Sequence, residues 1–447
     1  MISRRLFIGT LAGGLLSAPF NGEAQRPATP RVPLSLTRGQ WTRYGNGTFA
    51  QSVWVGDGIS PNDTVPIGTS LGLYLGGSTE YEAAFNDWCG GDYDTDRDEL
   101  PILLPGGHSS WSTNEVNFWS LASGTWNPGG RYMNPTVRLF SKIFEAGKPR
   151  SPGFLFDDGQ FNGLPNIYPN HAELDSRGNR AYPNARHSYG GIVYMPAPYR
   201  KFFMAGGYPW WEASANGPPY LWGSGYAEPA EWDPATKKYR RLDLDQLGAL
   251  DRYSGTPYGC WDPVQGRVLM HFASKLFAYY PGKAYGSRIV QVNPSNEPFV
   301  DTSYVTMMFD AKRNRAVVFG GAAAADGQSA GSSYYDFSKN SMLATRVNAR
   351  VTGDLPGGAG PGARYDPLGD RYVIWNGGKT LVFINPDTWM GTSFTPAGGD
   401  TPTIPTLAGK PGGGTWNRFF YSPTHDVFGV ISHAHDQGAF IFAPART

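Results

Sequence analysis

Tyr365-Asp366-Pro367-Leu368-Gly369-Asp370-Arg371-Tyr372-Val373-Ile374-Trp375-Asn376-Gly377-Gly378 is the stretch that decides the fold. An aromatic and an aspartate lead into the turn formers Pro-Leu-Gly-Asp, an apolar run short enough for a buried strand follows, and paired glycines end it. The same order recurs along the chain. It runs from Tyr93-Asp94 to Gly107, from Tyr194-Met195-Pro196 to Gly207, and from Trp261-Asp262-Pro263 to Phe272. It returns from Phe309-Asp310 to Gly321 and from Tyr421-Ser422-Pro423 to Ser432. A second strand–turn–strand pattern follows some copies. Its clearest forms are Val116-Asn117-Phe118-Trp119-Ser120 with Trp126, Ala230-Glu231-Trp232-Asp233-Pro234-Ala235-Thr236, and Leu381-Val382-Phe383-Ile384-Asn385-Pro386-Asp387-Thr388. Each unit therefore has four strands, and units repeat at roughly fifty residues, the spacing of propeller blades.

Composition agrees. The 447 residues include 59 Gly and 37 Pro, 14% are aromatic and only 17% are charged. Turn formers and strand formers dominate over the residues that long helices want. Abundant aromatic and β-branched residues argue against Gly/Pro-rich disorder. The formal net charge of +1 gives no broad footprint for nucleic acid or an anionic membrane. Ser3-Arg4-Arg5-Leu6-Phe7, the apolar stretch Leu6 to Phe20 and Gly22-Glu23-Ala24 read as a cleavable twin-arginine signal over residues 1–24. The protein is thus expected in the periplasm or outside the cell, without a membrane span and as a monomer. Residues 25–39 read as a linker and 40–447 as one domain.

The paired glycines and the aromatics after the Asn-Pro-Asp-Thr and Asp-Pro-Ala-Thr turns resemble kelch repeats. Trp88-Cys89-Gly90-Gly91-Asp92-Tyr93-Asp94 with Gly106-Gly107-His108, Ala185-Arg186-His187-Ser188-Tyr189-Gly190-Gly191, and Gly414-Thr415-Trp416-Asn417-Arg418-Phe419 resemble a bacterial group of galactose-oxidase-like kelch proteins of largely unassigned activity. The resemblance implies an all-β kelch-type propeller of six four-stranded blades, or seven if residues 48–80 form another. Gln40-Trp41-Thr42-Arg43-Tyr44 is predicted to complete the last blade and close the ring, which removes open sheet edges. Residues 127–184 form a long Pro/Gly/Asn-rich insertion, a length usual for functional or disordered loops. Cys89 and Cys260 are an even count that permits a disulfide in an exported protein, although their blades are not adjacent.

Kelch geometry also places candidate site residues. The loops that lead into each first strand would supply Trp88, Arg186, His187, Tyr258, Tyr304, Asn417 and Arg418. The loops between second and third strands, on the same face, would supply His108, Asn114, Trp210, Trp211, Lys275, Lys379, His433 and His435. Imidazoles and other polar groups ringed by aromatics suit a carbohydrate or polysaccharide, whose ring faces stack and whose hydroxyls bond. His187, Tyr258 and Arg186 are the catalytic candidates. His108, Asn114, Trp211, Lys275, Arg418, His433 and His435 are the ligand-binding candidates. His271, inside an apolar strand, and His425, in a turn on the opposite face, read as structural.

Four functions compete. A copper-radical oxidase needs a Cys–Tyr pair, a second Tyr and two His around the metal; Cys89, Tyr189, His433 and His435 offer parts of such a set, but the late adjacent Tyr-His pair is missing. A polysaccharide lyase would use His187, Tyr258, Arg186, Arg418 and His171 for proton transfer and carboxylate neutralisation. A glycosidase needs paired carboxylates, and Asp87, Asp92, Glu115 and Asp436 provide no evident pair. A binding protein needs only a loop face that grips a glycan. The sequence assigns no metal and no cofactor.

Overall fold

The computed structural model describes residues 34–49, 85, 90–103, 116–127, 188–205, 229–242, 257–293, 304–320, 331–354, 359–407 and 410–446, apart from a few single and paired positions within these spans. The signal, nearly all of the 127–184 insertion and most of residues 48–80 lie outside them. The chain folds as a six-bladed β-propeller, each blade a small antiparallel sheet. Blade 1 holds Glu99–Leu103, Val116–Ser120 and Thr125–Trp126, with the bridges Gly91 to Ile102 and Asp94 to Glu99 marking its innermost strand. Blade 2 holds Ile192–Met195, Lys201–Met204, Ala230–Asp233 and Lys238–Arg241. Blade 3 is Tyr258–Asp262, Arg267–Phe272, Lys275–Tyr279 and Ile289–Gln291, and blade 4 is Val305–Asp310, Arg315–Gly320, Gly331–Asp336 and Thr345–Asn348. Blade 5 is Gly362–Asp366, Arg371–Trp375, Leu381–Ile384 and Met390–Phe394, with Thr352–Gly353 added in parallel at its outer edge.

Blade 6 takes three strands from the end of the chain, Phe419–Ser422, Val427–Val430 and Ala439–Ala443, and its fourth from the start, Gln40–Tyr44. The register runs from Gln40 opposite Ala443 to Tyr44 opposite Ala439. This is the predicted closure. It is held by Trp41, fully buried, whose ring packs on Trp375 of blade 5 and Phe442 of blade 6 and whose Nε1 donates to the Lys379 carbonyl at 3.0 Å.

The hairpins form for a local reason that repeats. In blades 3, 4 and 5 an aspartate ends the first strand and an arginine begins the second, as Asp262/Arg267, Asp310/Arg315 and Asp366/Arg371. The aspartate Oδ1 accepts backbone N–H groups of the turn, from Val264 and Gln265, from Arg313 and from Gly369 respectively. Such side-chain mimicry of a turn is what aspartate offers. The residue before each second strand then takes a left-handed backbone, at Asp98, Arg200, Gly266, Asn314, Asp370 and Asp426.

Apolar clusters fill the gaps between neighbouring blades rather than one common centre. Phe203 stacks on Tyr279 between blades 2 and 3, and Tyr93 stacks on Phe420 between blades 1 and 6. No helix among the described residues is long and apolar enough to cross a membrane.

Candidate functional site at the axial end of the leading loops

The loops that lead into the innermost strands are stitched to their neighbours around the axis in two runs, blades 1 to 3 and blades 4 to 6. Gly90 N donates to Ser188 Oγ at 2.9 Å, and Gly259 N donates to the Gly190 carbonyl at 2.9 Å. Gly360 N donates to the Tyr304 carbonyl at 2.6 Å, while Thr415 N and Trp416 N both donate to the Gly360 carbonyl at 2.9 and 3.0 Å. Glycine is required at the tightest of these contacts. A Cβ on Gly90 would stand 1.8 Å from the Tyr189 carbonyl oxygen.

Inside this collar three aromatics converge. Tyr189 meets Trp416 edge to face at 5.5 Å and Tyr304 at 6.3 Å. Tyr189 and Trp416 are buried and Tyr304 is half-buried. All three hold positive φ, at 42° for Tyr189, 61° for Tyr304 and 40° for Trp416. Bulky residues seldom adopt that conformation, and such strain concentrates at functional sites. Trp416 also lies across the axis. A Cβ on Gly360 of blade 5 would come within 2.5 Å of its Nε1, and one on Gly190 of blade 2 within 3.5 Å of its Cδ1. Blades 2 and 5 face each other across a six-bladed ring.

One residue further along, the axis carries charge. Arg364 Nη2 donates to Asp92 Oδ1 at 2.7 Å, and Nη1 donates to Asn417 Oδ1 at 2.9 Å. Asp92 Oδ2 accepts from Tyr194 N at 2.7 Å, and Asn417 Nδ2 donates to the Ile192 carbonyl at 3.0 Å. This lock joins blades 1, 2, 5 and 6. Burial pushes the Asp92 carboxyl above its ordinary range despite the Arg364 charge, and burial likewise lowers Arg364 below the ordinary guanidinium value. Cys260, a free buried thiol, stands on the blade 3 side; burial first, then the Asp262 and Asp92 charges, push it far up. Its sequence partner Cys89 lies outside the described residues.

The residues expected from sequence are distributed as follows. Tyr258 is buried, its ring stacked on His271 at 4.6 Å and 8°, so its phenol is enclosed within blade 3 rather than set at the mouth. Arg418 is buried too; its Nη2 donates to the Phe85 carbonyl at 3.0 Å and to the Gly414 carbonyl at 2.5 Å, and its guanidinium lies over the Phe85 ring. Lys275 is half-buried at the start of its strand. His433 and His435 occupy the turn after Val427–Val430, not a strand, so they do not alternate across a sheet face; their rings stand 5.3 Å apart. His271 is sealed in blade 3 with its pKa lowered by burial to about 3, and His425 Nε2 lies 3.4 Å from Asp98 Oδ2 on the opposite face, both structural. Arg186, His187, His108, Asn114 and Trp211 lie outside the described residues, as do His171, Trp88 and Trp210. Sequence reasoning passed over Arg364 and Trp416 as site residues. The signal available for Trp416 was its place in a loop aligned with the one that carries Tyr189.

No known protein family matches the chain, and no curated protein matches it in sequence. Solved structures align with it as folds only. A gluconolactonase from Xanthomonas campestris aligns at 10% identity with a TM-score of 0.41, covering 94% of this chain and 99% of its own. A protein named YjhT aligns at 9% identity and 0.40, covering 80% and 93%. YCF48, solved bound to a D1 peptide, aligns at 9% and 0.35, covering 81% and 93%. Likeness at this level carries no chemistry, and the six-bladed fold rests on the sheet pairing itself.

Proposed function

We propose that the chain is an exported, kelch-like propeller that binds a carbohydrate or cell-surface glycan at the axial end of its leading loops, the face that also bears the Gly-Gly loops. The observation that supports this most is the convergence of Tyr189, Tyr304 and Trp416 on left-handed backbone, with Trp416 next in the chain to Asn417 of the Arg364–Asp92–Asn417 lock. Aromatic rings beside fixed hydrogen-bonding groups are what a sugar needs, since one face of the ring stacks while its hydroxyls bond. The binding reading is preferred over a lyase because the phenol expected to return the proton, Tyr258, is enclosed against His271. Export is inferred from Arg4-Arg5 and the apolar stretch after them.

The test is glycan-array binding by the mature protein and by Tyr304→Asn, which removes the half-buried ring and keeps a residue that tolerates positive φ. We expect retention of at least one glycan class and at least tenfold weaker retention by the variant. No retained glycan, or equal retention by a folded variant, would sink the reading.

A further inference from the structure

Among the described residues, Trp416 Nε1 and Thr415 Oγ1, in the loop leading into blade 6, have no hydrogen-bond partner, and both residues are fully buried. A buried donor with no acceptor costs about 1–3 kcal/mol, so native chains keep few of them. The cost here falls on adjacent residues at the centre of the axial site, on a backbone already at φ 40°. Neither is needed for the local fold, because the loop is held by backbone bonds: Thr415 N and Trp416 N to the Gly360 carbonyl, and Arg418 N to the Thr415 carbonyl at 3.0 Å. Gly360 and Gly190 leave the indole edge its place across the axis, and any Cβ at Gly360 would displace it.

Resting on the carbohydrate reading above, we propose that Trp416 and Thr415 are a donor pair reserved for the ligand: the indole N–H and the hydroxyl bond ring or hydroxyl oxygens of the sugar, while the half-buried Tyr304 supplies an aromatic edge. Trp416 thus marks the deepest subsite, and occupancy requires the indole to shift from its packed position. The pair selects an oxygen-rich acceptor group, because an indole N–H can only donate.

The pair makes opposite predictions for stability and for binding. Thr415→Val keeps the shape and removes the hydroxyl; Trp416→Phe removes the indole N–H. Without ligand, Thr415→Val should raise the thermal midpoint by a few degrees. The probes are methyl galactoside, methyl glucoside and galacturonate, followed by titration calorimetry and by the indole N–H resonance of Trp416, identified by its loss in Trp416→Phe. At least one probe should move that resonance saturably, and the double variant should bind it at least tenfold more weakly. A lowered midpoint for Thr415→Val would show that the hydroxyl serves the fold and would overturn the inference. Sugar binding with the Trp416 resonance unmoved, or equal affinity in the double variant, would overturn it and leave the carbohydrate face standing. No response of the wild type to any of the three probes would overturn the donor pair as a sugar site, and the glycan array then decides the face independently.

Discussion

Asp262 and Arg267 have no exposed side-chain surface, and Arg267 Nε donates to Asp262 Oδ2 at 2.7 Å. Arg267 also donates to Tyr280 Oη at 2.9 Å and lies over the Phe337 ring of the next blade. Removing one partner strands a buried charge, so Asp262→Ala should lose about 3–5 kcal/mol in urea denaturation, while Asp262→Leu with Arg267→Met should recover most of that loss. Failure of the double variant to recover would assign the arginine's value to its ring contacts. Glu99 behaves differently. Burial, then the Asp94 charge, pushes its carboxyl from the ordinary 4.5 up to about 7, against the opposing Arg97. Between those values the folded chain binds the proton more tightly than the unfolded one, so this group's contribution falls as pH rises from 4.5 to 7 and its penalty is complete above that. Glu99→Gln should therefore be more stable than wild type near pH 8, by about 2–3 kcal/mol, with the gap closing near pH 4. A constant gap across the range would refute the raised carboxyl.

At the scale of the element, the hairpin between a blade's first two strands is the repeating unit, and it was the most legible part of the sequence. The Asp-Pro turns at Asp262-Pro263 and Asp366-Pro367, the turn formers after them and the apolar runs beyond were enough to locate it, because aspartate, proline and glycine carry their turn preference in their own chemistry. The arginine that opens the second strand in blades 3, 4 and 5 was equally visible but reads as an ordinary polar residue until Asp262, Asp310 and Asp366 are seen beside it. The site was less legible for a different reason. Arg418 and Trp416 stand in a leading loop and Tyr258 opens the first strand just after one, and whether such a residue faces the axis or its own blade depends on backbone angles, such as φ 40° at Trp416, that a composition pattern does not encode. The two kinds of glycine separate this local chemistry from packing. Gly266 has φ +62° and open space where a Cβ would go, so Gly266→Ala should cost only the backbone strain, about 1 kcal/mol. A Cβ at Gly362 would stand 2.3 Å from the Phe419 Cβ of the next blade, an atom that cannot swing aside. Gly362→Ala should cost about 3 kcal/mol, and equal losses for the two would contradict the close approach of blades 5 and 6.

Across the whole molecule, stability depends on the ring being closed by a strand from the other end of the chain. Trp41 joins blades 5 and 6, the Trp41 carbonyl accepts from Asp400 N at 2.9 Å, and Arg43 N donates to Asp400 Oδ2 at 2.6 Å. Arg446 pairs with Asp366 and Asp426, and Arg38 with Asp426, so segments flanking the closing pair meet at one carboxylate. Trp41→Ala should lose about 3–5 kcal/mol and speed proteolysis at the amino-terminal side of Tyr44. A chain starting after Tyr44 leaves Ala439–Ala443 as an apolar open edge, and should associate through it in light scattering.

The antiparallel sense of that closing pair has a mechanical meaning. Gln40 lies opposite Ala443 and Tyr44 opposite Ala439, so tension applied at Gln40 and Ala443 loads the pair at the same end. Tension between those two points breaks the ladder bonds one after another, like a zip. Anchoring one handle at Tyr44 and the other at Ala443 would load all five residue pairs together in shear. The propeller is therefore soft along one line of pull, through the two strand ends that made it a ring.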